Sequence, residues 1–462
     1  MKRCARLHRC SAVFCLGLCL VGANVWAAAA ETVAPLPAAR LSPSAALLSS
    51  PQAPSSSQNS SSQQTKAGYK LSPSDYEKAE AYSRAGYTLY FVAVAVVVIT
   101  LLVLLRLGLA ARFRDWAERV SDVRRVQALI FVPLLVLSLE GALLPVDAVG
   151  HLAARRFGMS VQGWGSWALD WGKEQVLMTG LALLLALMLS AVMRRSSRRW
   201  WFYFWLAALP LLVFLMFVSP WFIDPMFNKF TPLEASEPDL VARIERLTAR
   251  AGVPIPASRI FLMNASKKTT AVDAYVTGLG ASKRVVVWDT TTRKATTNET
   301  LFIVGHELGH YVLGHIWKGV VFSAAGLLAG LYLLFRAFHW TLGRWGGDWN
   351  IYGAEDWAAL AVMLLLVYFG MFLASPITNG FSRMQEHQAD VYGLEVIHGI
   401  VPDAAKVAGQ SFQLLGQEDL ADPNPPAFIV FWLYSHPPLE ERLEFAATYD
   451  PWDSGESPMY VK

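Results

Sequence analysis

Apolar and polar positions fall into blocks along this chain. Six apolar stretches lie near residues 87–105, 127–146, 175–193, 200–222, 316–337 and 357–376. Each approaches the roughly 20 residues that a helix needs to cross a bilayer core. Between the fourth and fifth the pattern changes. In "SEPDLVARIERLTARAG", Leu240, Val241, Ile244 and Leu247 recur at helical spacing, which predicts an amphipathic helix with Ser236 as N-cap and Gly252 as stop. "SRIFLMN", "AVDAYVTG" and "KRVVVWDT" predict three strands, the last two joined by "GLGAS", a hairpin signal. "TTNE" at 296–299 pairs Thr296 with Glu299 as a capping box and opens a further helix. The pattern therefore predicts an α-helical polytopic membrane protein with six spans and an inserted α+β domain.

Composition agrees. The chain is 54% hydrophobic and 16% charged, against about 25% charged in soluble proteins. The net charge of +4 is too small to imply a nucleic-acid partner, so the partner implied is the lipid bilayer. All four cysteines (Cys4, Cys10, Cys15, Cys19) lie in the first twenty residues, which excludes a thiolate metal site or a cysteine nucleophile in the body of the chain.

The N-terminus has a basic start, an apolar stretch and then small residues with A-x-A sites at 27–30. It reads as a secretory signal peptide, or as an uncleaved anchor that would be a seventh span. The expected organisation is a leader or anchor at 1–30, a Ser/Pro/Gln-rich disordered linker at 31–74 and four spans within 75–222. The α+β domain follows at 223–315, then two spans within 316–378, and the C-terminal part of that α+β domain at 379–462.

Arginine suggests the sidedness. Residues 106–125 hold six arginines and "RRSSRR" at 194–199 holds four, whereas the loop 147–173 holds only Arg155, Arg156 and Lys173. Short loops rich in Lys and Arg stay cytoplasmic. The α+β domain is then expected on the outside, the periplasm of a bacterial inner membrane, with the cytoplasm as runner-up.

The chemistry sits in "VGHELGHYVLGH", 304–315. His306 and His310, four apart, project about 40° from one another on a helix, so both imidazoles can reach one Zn²⁺. Glu307 stands at the rim of that face, placed to take a proton from a zinc-bound water. This is H-E-x-x-H, and Val304, Leu308, Val312 and Leu313 around it would make an unpaired histidine pair costly. A catalytic zinc takes three protein ligands and leaves a position for water. A third histidine ten residues after His306 is excluded, because that residue is Ile316. His315 is expected to be structural or interfacial. The best remaining candidate is Glu386, with Asp390 four residues on to hydrogen-bond a ligand imidazole; on spacing alone Glu386 fits a solvated helix position equally well. Two spans separate His310 from Glu386, so both return to one side of the membrane. The helix that carries the motif is expected to run on into the bilayer.

Taken together, "FNKFTPL", "ASKKTTAVDAYVTGLGASKRVVVWDT", "HELGHYVLGH", "SRMQEHQAD" and "YSHPPLEERL" resemble the CAAX prenyl protease type 1 family of integral-membrane zinc metalloproteases, over about residues 70–445. The resemblance implies a zincin-like catalytic domain with Glu386 as third ligand of a single Zn²⁺ and Asp390 behind the ligands. It further implies that His436 stabilises the transition state, that Arg442 is a structural partner near the zinc helix, and that the chain takes part in CAAX-box protein processing. Ala274, Tyr275 and Val276 are expected to pair with an extended substrate as an added strand. Asp273 stands where the family often has asparagine. The reading is a membrane-embedded zinc metalloendopeptidase acting on peptide or membrane-protein substrates. Its rival is a non-proteolytic zinc-containing quality-control or client-binding protein.

Overall fold

In a computed structural model, residues 68–278 and 280–461 are described, without the side chains of 216–221 and Ala281. The expected leader, and the linker up to residue 67, lie outside the described residues.

The six apolar stretches are helices: α1 (Pro73–Arg106), α3 (Arg124–Arg156), α4 (Trp164–Arg195), α5 (Trp200–Phe222), α10 (His315–Trp345) and α11 (Ala359–Ile397). Five are long and apolar enough to cross a membrane; α5 is apolar over Trp200–Leu215, the part described in full. A short amphipathic helix, α2 (Leu109–Val120), separates α1 from α3. Their shared core includes Leu101, Phe131, Leu139, Leu185, Phe204, Phe338 and Trp357, all at most 2% exposed.

Most of these helices outrun their apolar windows. α1 begins at Pro73, where Ser72 caps it by accepting from the Asp75 N–H at 3.1 Å. Its polar first turns rise to the catalytic unit, where Tyr87 Oη donates to Asp422 at 2.9 Å. Lys70, expected in the disordered linker, instead exchanges hydrogen bonds with Gln413. The linker expected over 31–74 is therefore corrected at its end, because Tyr69, Lys70 and Leu71 have partners to dock on and Pro73 already opens α1.

One end of the bundle gathers the arginines. Arg114, 2% exposed, donates to Asp356 at 2.6 Å and to the Asn350 carbonyl at 2.8 Å, and Arg124 donates to the Glu355 carbonyl at 2.5 Å. At the other end, Lys268 pairs with Asp170 of α4 at 2.7 Å, and Thr269 bridges to Ser160. These contacts tie the bundle to a four-stranded sheet in the order β1 (Phe230–Pro232), β2 (Ile260–Met263), β4 (Arg284–Trp288), β3 (Ala274–Thr277). β2 and β4 are parallel and the outer pairs antiparallel. After α5 the chain makes one turn, α6 (Asp224–Phe227), before β1. The amphipathic helix α7 (Pro238–Arg250) packs Leu240, Ile244 and Leu247 into the core of the catalytic unit. Its N-cap is Glu237 and not the expected Ser236, which ends a preceding 3-10 turn; Pro238 has no N–H to be capped and suits the first helical position. Gly252, at φ +70°, ends the helix as expected.

After the one-turn α8 (Thr291–Lys294) comes α9 (Thr297–Val312), opened by the Thr296–Glu299 capping box. α9 does not continue into the bilayer. Leu313 caps it, Gly314 adopts φ +69°, and α10 starts afresh at His315. The expected continuity is thus corrected for α9 and belongs to α11. That single 39-residue helix runs from the membrane bundle to Ile397, so the expected boundary at 378/379 falls inside it. At 1.5 Å per residue it is about 58 Å long. α12 (Ala404–Asp419), α13 (Ala427–Leu433) and α14 (Leu439–Thr448) complete the catalytic unit.

Candidate active site

α9 and α11 meet through glycine. An ideal Cβ on Gly305 would lie 2.9 Å from Val396 Cγ1, one on Gly309 3.1 Å from Ala389 Cα, and one on Gly393 2.9 Å from the His306 backbone nitrogen. With hydrogen at these places the two backbones come close enough for α11 to reach the histidines. His306, His310 and Glu386 each offer a donor atom, all within 4.8 Å of one another. His306 Nε2 lies 3.1 Å from His310 Nε2 and 3.2 Å from Glu386 Oε2, and His310 Nε2 lies 3.4 Å from Glu386 Oε1. Tetrahedral bonds of 2.0–2.1 Å place neighbouring donors about 3.3 Å apart. These separations lie near that spacing, with a different Glu386 oxygen toward each histidine, and the donor set of two imidazoles and one carboxylate is one that zinc takes. The residues fit the ion.

The surrounding charges also suit a cation. Burial opposes a charge on His306, yet its hydrogen bonds to Asp390 and Glu386 raise its pKa to about 10. Asp390, fully buried, lies 2.8 Å from His306 Nδ1. Arg442 grips the same carboxylate through Nε at 2.9 Å and Nη2 at 2.6 Å, while its guanidinium stacks 4.4 Å from the Phe412 ring centre. A bidentate pair of this kind fixes direction as well as charge.

Glu307 and His436 line one cavity of about 200 Å³ with His306 and Asp273. His436 Nε2 lies 2.9 Å from Glu386 Oε2, and its Nδ1 lies 3.0 Å from Ser435 Oγ. Pro437 and Pro438 follow it and lead into α14, which also carries Arg442. Beside the cavity runs β3, which among the described strands has a neighbour on one side only. The Asp273 carbonyl accepts from the Trp288 N–H at 3.1 Å. By antiparallel alternation Tyr275 then faces β4, while the main-chain groups of Ala274 and Val276 face the open edge.

Each site residue named from the sequence is therefore found in or beside one place. Sequence reasoning expected His315 to be structural or interfacial and missed its partner Gln388. His315 Nδ1 lies 3.1 Å from His310 Nδ1, and His315 Nε2 lies 3.0 Å from Gln388 Oε1. Glu140, the ionisable residue of the second span, is buried, with Gln175 Nε2 donating to it at 3.2 Å.

Helices long enough to cross a membrane, a small mixed sheet with an open edge and a two-histidine, one-glutamate cluster define an integral-membrane metalloprotease. The chain belongs to peptidase family M48: the profile of that family matches residues 234–450, and the profile of the CAAX prenyl protease N-terminal region, five membrane helices, matches residues 57–229. It is 35% identical over 380 residues to the uncharacterized metalloprotease YhfN of Bacillus subtilis, covering 81% of this chain and 86% of YhfN. It is 32% identical over 253 residues to CAAX prenyl protease 1 of Saccharomyces cerevisiae, covering 49% of this chain and 51% of the yeast protein. The crystal structure of Ste24p from S. mikatae superimposes with a TM-score of 0.71 at 24% identity, covering 82% of this chain and 90% of that one, and so shows a common fold. The family is zinc-dependent, the function is that of a CAAX prenyl protease-like membrane metalloprotease, and the non-proteolytic alternative is not favoured.

Proposed function

We propose that this chain is an endopeptidase that cuts an extended peptide or membrane-protein segment laid along β3, with one zinc ion per chain held by His306, His310 and Glu386. The observation that carries this reading is the convergence of those three donors, at 3.1–3.4 Å, with His306 lining a cavity shared with Glu307 and His436. When bound, zinc polarises the scissile carbonyl and acidifies the attacking water. The chain does the rest. Ala274 and Val276 offer main-chain hydrogen bonds that hold the substrate extended, with Tyr275 between them on the strand. Glu307 takes the proton of the attacking water and delivers it to the leaving amine. His436 donates from Nε2 to the developing oxyanion. Asp390, braced by Arg442, keeps the His306 proton on Nδ1, so that Nε2 faces the ion.

Glu307→Gln is expected to retain zinc and lose peptide cleavage by about 10²–10⁴-fold, the usual worth of a general base. Turnover equal to the parent's in purified protein would refute the role. Running prenylated and unprenylated versions of the same peptides in that assay separates a CAAX-type substrate from a general one.

The site is proposed to face the exterior of a bacterial inner membrane, because the arginine-rich segments gather at the end of the bundle away from the sheet. An alkaline phosphatase fused after Lys462 should be active; an inactive fusion at full expression would reverse the orientation.

A further inference from the structure

On an unbroken α-helix, residues five apart point about 140° away from one another. His310 and His315 are five apart, yet their rings sit 5.1 Å centre to centre, Nδ1 to Nδ1 at 3.1 Å. The left-handed turn at Gly314 makes this possible, because it ends α9 and lets His315 fold back as the first residue of α10. His315 is 2% exposed and tied to α11 twice: Nε2 lies 3.0 Å from Gln388 Oε1, and its carbonyl accepts from Gln385 Nε2 at 3.4 Å.

These contacts leave one consistent set of protons. His310 turns Nε2 toward His306 and Glu386, so as a ligand it carries its proton on Nδ1. That N–H donates to His315 Nδ1, which must then be the nitrogen with the lone pair. The His315 proton is therefore on Nε2 and donates to Gln388 Oε1, an oxygen that can only accept. We propose that His315, oriented by Gln388, is a positioning residue that fixes the tautomer and ring plane of His310, as Asp390, gripped by Arg442, does for His306. The inference rests on the zinc-site reading above. It would give each imidazole ligand a partner of its own: a charged one on one side, and on the other a neutral chain that begins at the α9–α10 break.

The test is zinc affinity of the full-length protein in nanodiscs, by competition with a chromogenic chelator. His315→Ala is expected to weaken zinc binding about 10–100-fold, the usual range when such a partner is lost. His315→Asn places an acceptor oxygen near the former Nδ1 and should recover most of the affinity. His315→Gln reaches only the Nε2 position and should behave like alanine. The contrast between Asn and Gln is one that a merely space-filling histidine would not produce. Melting of the zinc-free proteins reads folding separately. Should His315→Ala fail to fold, Gln388→Leu, which keeps the histidine and removes its anchor, is expected to weaken zinc binding in the same direction. Zinc held by His315→Ala as tightly as by the parent overturns the inference, as does equal weakening by Asn and Gln. A parent that binds no zinc overturns the metal site itself, and this inference with it.

Discussion

Gly393→Ala adds one methyl group at the crossing of α9 and α11. In an exposed helix that change gains up to about 1 kcal/mol, because alanine is the better helix former. Here the new Cβ would stand 2.9 Å from the His306 nitrogen and 3.1 Å from its Cα. Ordinary carbon contacts begin near 3.5 Å, so the helices must separate by about 0.5 Å at that point. The nearest obstruction is the His306 backbone, which cannot rotate away. Overpacking of this kind costs about 1–3 kcal/mol, which outweighs the helical gain. The larger consequence is for the metal. Glu386 lies two turns before Gly393 on the same face of α11, whereas ligand distances tolerate only about 0.2 Å. A substitution that touches no ligand side chain is therefore expected to weaken zinc binding at least about ten-fold and to lower thermal stability. Zinc-chelator competition and melting of the same preparation check both. A Gly393→Ala protein that melts higher and binds zinc as the parent does would show that this glycine contact does not set the ligand spacing.

Asp390→Asn keeps an acceptor for His306 Nδ1 but leaves the Arg442 guanidinium without its carboxylate. Loss of about 3–5 kcal/mol, typical of a broken buried pair, should appear in melting, together with weaker zinc retention. Glu395, fully buried, accepts from the N–H groups of Met459, Tyr460 and Val461 at 2.6, 2.7 and 2.8 Å, and from the Tyr449 hydroxyl. Glu395→Gln turns an amide N–H toward some of those donors, at about 1–3 kcal/mol for each one left unsatisfied. Limited proteolysis should then clip the C-terminal segment well before it does so in the parent.

What the sequence revealed and what it hid follow from range. The capping box, the three strands and the H-E-x-x-H pair depend on residues within a few positions of one another, and each is present. Glu386 needed more: its distance from His310 in sequence spans two apolar stretches, and only the parity of crossings and the family motifs singled it out. The approach of α9 to α11 was hidden because a glycine in a helix reads locally as a weakness, although Gly305 and Gly309 stand four apart on one face. His315 reads as structural or interfacial because it stands one residue before the tenth position after His306, and that spacing does not reveal that the chain folds back at Gly314. The stop was written in Gly314, the residue that most readily takes a left-handed turn after a helix. Ser236 misled because serine is the commoner cap, while the proline at 238 moved the start by one residue.

One rod, α11, is bedded in lipid at its front and offers a carboxylate ten residues beyond Pro376, where the ring removes a hydrogen bond from the ladder. Ten residues make a lever arm of about 15 Å, so pivoting by a single degree at the proline swings Glu386 sideways by about 0.3 Å. That sweep is as large as the slack a coordination bond permits. A bend at Pro376 would therefore reach the carboxylate proposed as the third ligand.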